Sequence, residues 1–139
     1  MPSTNAQAAE ALYPILSAFH AVQGHALRRI QQVILEGSLA SLTFDFGSMF
    51  LTAKANEDDD TVDIAISPSN QLATDGTDVS GVQPWSDFIG RSFGWGWLIV
   101  NQQGYNDGVL LSFDGIDPQL LLNVIASSIK VSRVMGVPS

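Results

Sequence analysis

The run Phe93–Phe113, Phe-Gly-Trp-Gly-Trp-Leu-Ile-Val-Asn-Gln-Gln-Gly-Tyr-Asn-Asp-Gly-Val-Leu-Leu-Ser-Phe, sets the tightest limit on what this chain can fold into. Gly94–Val100 mixes β-branched and aromatic residues with glycine, the composition of a strand. Alternation places Trp95, Trp97 and Ile99 on one face and Leu98 and Val100 on the other. With both faces apolar, the strand reads as central. Gly94 and Gly96 leave room opposite the tryptophans, for a bulge or for close approach by another backbone. Asn101–Gly108 supplies turn residues, and Val109–Phe113 returns as a second strand before Asp114-Gly115. The stretch is a β-hairpin with a polar tip.

The rest of the chain supplies partners for it. From Ala6 to about Val22 the apolar positions Ala8, Leu12, Ile15, Leu16, Phe19 and Val22 recur at helical spacing, with Gly24 as the stop. Pro14 lies inside this helix and predicts a kink or a start there. His20 and His25 flank its end as surface or interface side chains. Strands follow at Arg29–Leu35, Leu42–Phe46, Phe50–Ala55 and Val62–Ile66, separated by Glu36-Gly37, Gly47-Ser48 and the polar tip Asn56–Asp60. Such spacing implies an antiparallel meander. Ser67–Gln83 is a long connection rich in Ser, Thr, Asn, Asp and Gly, expected to be mobile. Pro84–Gly90 reads as one short turn or helix, docked through Trp85, Phe88 and Ile89 beside the hairpin. Leu120–Val134 fits a helix or a strand with a bulge near Ser127-Ser128, and its Val, Ile and Ser content favours the strand.

These elements amount to an α+β fold: an antiparallel sheet of about six or seven strands with the N-terminal helix packed on one face. A length of 139 residues fits one domain over 1–139, with residues 1–5 as a disordered tail and 67–83 as the mobile loop. An apolar share of 45% against 14% charged residues argues against disorder of the chain as a whole. No run approaches the roughly 20 apolar residues that span a bilayer. The first basic residue is Arg28, which leaves no basic leader, so a bacterial-type cytoplasmic protein without membrane contact is expected. The absence of cysteine removes disulfides, thiol catalysis and Cys-based zinc sites.

Net charge −8, with only Arg28 and Arg29 adjacent among the basic residues, opposes binding to nucleic acid. It suits a basic protein partner. Seven of the fourteen acidic residues lie between Glu57 and Asp78, with no Lys or Arg among them, so this is where such a partner would be drawn. Asp58, Asp59 and Asp60 are its densest part. Their carboxylates match hard cations in type, but no EF-hand pattern is present and adjacent tip residues diverge, so a solvated tip and no metal is the reading.

The stretches Trp85–Gly90, Trp95-Gly96-Trp97 and Asn101–Gly108, with Asp58-Asp59-Asp60-Thr61 ahead of a strand, resemble a small family of uncharacterised single-domain bacterial proteins. The resemblance runs from about residue 26 to 134, leaves the helix outside, and implies no activity and no catalytic residues. In outline the chain also looks like small acidic immunity proteins, an analogy that rests on no motif.

Asn101, Gln103, Tyr105, Asn106 and Asp107 crowd amide, phenol and carboxylate groups beside the tryptophans and form the candidate recognition surface, together with Asp58, Asp59 and Asp60. No Gly-x-Ser-x-Gly, P-loop or dinucleotide glycine pattern is present, so neither a catalytic set nor a cofactor is assigned. The function expected is a non-enzymatic protein-interaction module, an immunity-type inhibitor that occludes a basic partner with acidic loops. The alternative is a small ligand-binding protein or hydrolase with a pocket beside Trp95, Trp97 and Tyr105, using a buried carboxylate such as Asp107 or Asp87. A homodimer through the Ala-rich helix 6–22 is a third arrangement.

Overall fold

The computed structural model describes residues 14–68 and 76–134. A helix, α1, covers residues 14–22, starting in the described chain at Pro14. A five-stranded sheet follows, built from β1 (Arg29–Leu35), β2 (Ser38–Asp45), β3 (Met49–Asn56), β4 (Thr61–Pro68) and β5 (Thr77–Asp78). A 3₁₀ turn, Trp85–Asp87, leads to a four-stranded sheet of β6 (Phe93–Val100), β7 (Asn106–Phe113), β8 (Leu120–Ile125) and β9 (Ser128–Arg133). The sheet orders are β4-β3-β2-β1-β5 and β6-β7-β8-β9, and every pairing is antiparallel.

The fold is therefore mostly antiparallel sheet with one N-terminal helix, but the single sheet of six or seven strands is corrected to two sheets of five and four. The reason lies in the inner faces. Leu42, Phe44, Leu51, Ala53, Val62 and Ile64 are buried on one sheet, and Val109, Leu111, Leu120, Leu122 and Val124 on the other, within one hydrophobic cluster. Strand alternation records which residues face the core. It does not record which sheet a strand joins.

The crossing between sheets is made by residues 79–92. Val79, Trp85 and Phe88 are buried there, with Trp85 edge-on to Phe44 at 5.7 Å and Phe88 tilted on Phe113 at 5.1 Å. This segment fills the space between the sheets and touches the hairpin strand β7, as the apolar spacing of Trp85 and Phe88 requires. Part of the connection 67–83 is regular: β5 pairs with β1 through Gln31↔Asp78 and Gln32↔Thr77. Residues 69–75 of that connection, and the tail 1–5, lie outside the described residues.

Leu120–Val134 is corrected from one bulged strand to two strands, β8 and β9, joined at Ala126-Ser127. Both turn residues have positive φ, 52° and 65°, the signature of a two-residue hairpin turn. An Ala-Ser pair gives no local warning of that geometry. Glu36-Gly37 makes the equivalent turn between β1 and β2 with φ 52° and 80°, and there the glycine announces it.

Helix α1 lies between the edge strands of the two sheets. Grooves flank it on both sides, one against Ile64–Ile66 of β4 and the other against Gly94–Gly96 of β6. Its stripe Ile15, Ala18, Phe19 and Val22 is buried in the protein's own core, and Leu16 is its exposed large apolar residue. Phe19 stacks on Phe93 at 5.9 Å and lies over Gly96, where an added Cβ would come within 2.4 Å of the ring. Gly94 admits the backbone instead, since a Cβ there would fall 2.0 Å from the Gly115 carbonyl oxygen. Both uses foreseen for these glycines occur, because β6 is also bulged between Phe93 and Gly96.

Candidate functional site

Strand direction alternates, so four turns gather at one end of the molecule: Glu36-Gly37, residues 57–60, residues 101–105 and Ala126-Ser127. Three hydrogen bonds tie this turn end across the sheets. The Asn106 Nδ2 donates to the Val62 carbonyl at 2.9 Å, the Ser127 N–H to Asp60 Oδ1 at 2.8 Å, and the Leu39 N–H to Ser128 Oγ at 3.2 Å. The two candidate recognition segments, some forty residues apart in sequence, are thereby brought side by side.

Within the acidic tip the three aspartates have different tasks. Asp59 Oδ1 accepts from both the N–H and the hydroxyl of Thr61, at 3.1 and 2.6 Å, closing the turn locally. Asp60, itself at φ 55°, holds the β8–β9 turn. Asp58 is exposed, and its carboxylate makes no hydrogen bond among the described residues, in common with Glu57 and Glu36. These three carboxylates are open to a partner, as is that of Asp63. Glu36 and Glu57 stand on a cleft of about 440 Å³ completed by Leu35, Ser38, Ala40 and Ser127. Sequence reading missed Glu36 because it belongs to a turn twenty residues away from the acidic run; only the strand order places it here.

The hairpin tip is organised by Asn101. Its Oδ1 accepts from the N–H groups of Gln103 and Tyr105 at 2.9 and 3.3 Å, and its Nδ2 donates to Asp107 Oδ2 at 3.1 Å. Asn101, Asn106 and Asp107 therefore build the tip, whereas Gln103 and Tyr105 are exposed and present free side-chain groups beside it. Among the described residues no three His or carboxylate side chains gather closely enough to hold a metal ion.

The turn end is the more acidic one. Glu36, Glu57, Asp58, Asp59, Asp60 and Asp107 lie there, with Lys54 and Lys130 on strands leading to it, and all four arginines lie at the other end beside Asp45, Asp87 and Asp114. There Arg29 Nε bonds the buried Asp45 at 3.0 Å and Arg133 bonds Asp87. The Arg133 guanidinium, then the Gln83 amide, hold the Asp87 carboxyl below its ordinary value. Asp87 is thus a paired anion at the arginine end and does not have the raised proton affinity a general acid needs.

Trp95 and Trp97 are neighbours on the outer face of β6, ring centroids 6.2 Å apart, and Trp95 is 51% exposed. Trp95 lines a groove of about 350 Å³ with Leu16, Phe19, His20 and Gln23 of α1 and its neighbouring end. Trp97 stays beside Trp95 but does not line this groove, and neither does Tyr105, so the groove takes in one of the three aromatics grouped from sequence.

The chain matches a family of unknown function, DUF6334, over residues 13–137. It belongs to that family. The family match takes in α1, which the resemblance read over residues 26–134 left out, and the Gly96–Phe19 contact gives a physical reason for helix and hairpin to travel together. No curated protein and no solved structure matches the chain. No helix among the described residues is long and apolar enough to cross a membrane.

Proposed function

We propose that the protein is a non-enzymatic interaction module whose turn end docks onto a basic protein, in the manner of an immunity-type inhibitor that occludes its target. The observation that carries this reading is the gathering of Glu36, Glu57 and Asp58, free of hydrogen bonds among the described residues, at an end that also presents Gln103 and Tyr105 and holds no arginine. Anionic groups in that setting raise the rate of encounter with a cationic surface, while the amide and phenol supply short-range contacts. Asn101, Asp60 and Asp107 act as the frame that holds those groups in place.

The test is capture from host lysate with the wild type, a Glu36→Gln/Glu57→Gln/Asp58→Ser variant and a Gln103→Ala/Tyr105→Ala variant, all of matched stability. A basic protein retained stoichiometrically by the wild type, associating at least about tenfold more slowly with the charge variant at low salt, is the expected result. Equal capture by all three would remove the turn end from consideration.

A further inference from the structure

The outward faces of the two sheets are unlike each other. On the five-stranded sheet Thr43 lies opposite Thr52, and Ser41 opposite Lys54, which lies opposite Asp63. These two rows are mainly polar. On the four-stranded sheet one outward row runs Trp97, Leu110, Leu121, Ser132, and the next runs Ile99, Gly108, Asn123, Lys130. Trp95 extends the patch at the β6 edge, half exposed and leaning on Trp97. The inward residues Val109, Leu111, Leu120 and Leu122 are already the core. An antiparallel sheet that needs only one covered face carries apolar residues on both.

Charge selects what covers the second face. Its two rows contain one charged residue, Lys130, and no carboxylate, in a chain of net charge −8. A basic partner finds nothing to pair with there. A second copy of this chain, by contrast, can approach on this face without bringing carboxylates together. An apolar centre depleted of charge is the composition of a homodimer interface, and two-fold packing makes such a face its own complement.

We infer that two copies of the protein pack the outer faces of their β6–β9 sheets together as a symmetric dimer, with Trp97, Leu110 and Leu121 at its centre. Four strands about 4.8 Å apart and up to eight residues long at about 3.3 Å per residue give a footprint of roughly 500 Å² per copy. Two copies would together bury roughly 1,000 Å², below the range of stable interfaces, so the dimer is a weak one. It leaves the turn end free, so its fate is independent of the proposed docking there.

The experiment is sedimentation velocity of the wild type from about 1 to 300 µM, at low and high salt, beside Leu121→Glu and Trp97→Ser variants. Expected are a monomer–dimer equilibrium in the wild type, tighter at high salt because repulsion between acidic copies is screened, and at least a tenfold weaker dimer in each variant. Acrylamide quenching of wild-type tryptophan fluorescence should fall over the same range, which keeps the test valid if a variant misfolds. A wild type monomeric throughout, or a dimer unchanged by both folded variants, overturns the inference.

Discussion

Gly96 occupies a position where any side chain would collide with the Phe19 ring, because a Cβ there lies 2.4 Å from a ring carbon in the middle of the helix–hairpin contact. Gly96→Ala should therefore cost about 1–3 kcal/mol in urea unfolding, as overpacking does, and a Phe19→Leu background should recover part of that loss. An unchanged midpoint would mean the helix does not seat as described. The need for a small residue was legible from sequence. What would fill the space was not, since Phe19 is far from Gly96 along the chain and only the fold brings the ring there. Ala126 and Ser127 show the opposite limit: their left-handed conformation is imposed by β8–β9 pairing and by Asp60, against local preference.

Among elements, the hairpin tip separates structure from recognition. Asn101→Ala removes the acceptor of two backbone N–H groups and the donor to Asp107, and should lower stability by about 1–2 kcal/mol while releasing the tip amides to faster hydrogen exchange. Gln103→Ala should leave both quantities within about 0.5 kcal/mol of wild type. Equal effects would show that the tip is not framed by Asn101. The hairpin itself could be read because β-branched and aromatic residues bracket a polar, glycine-containing turn. The division of labour within its tip could not be, since Asn101 and Gln103 differ there only in which backbone groups they reach.

At the scale of the whole molecule, the arginine end carries the acid response. Arg133 and Gln83 lower the Asp87 carboxyl, and hydrogen bonds from Ser80, with Arg29 assisting, lower that of Asp78, both from an ordinary value of 3.8. A carboxyl lowered in the folded state stabilises that state above its unfolded value, and the contribution disappears as pH falls through the folded value. Thermal unfolding should thus be flat for these groups from neutral pH down to the ordinary carboxylate range and decline below it. Asp87→Asn should shrink the decline, only slightly because the pair is exposed, and an identical acid profile would count against the Arg133 pairing. The sequence by itself determined most of the strands, the helix stripe, the acidic run and the hairpin, because apolar periodicity and turn chemistry are local properties. It misplaced β6, which is an edge strand and not the central one that its two apolar faces suggested, because strand order is not a local property. The tertiary structure alone decided that the strands divide into two sheets, that Glu36 joins Glu57 on one cleft at the turn end, and that Trp95 lines a groove that Tyr105 does not. Those are consequences of strand order and direction, which set long-range neighbours through burial of a shared core and leave no periodic mark on the chain.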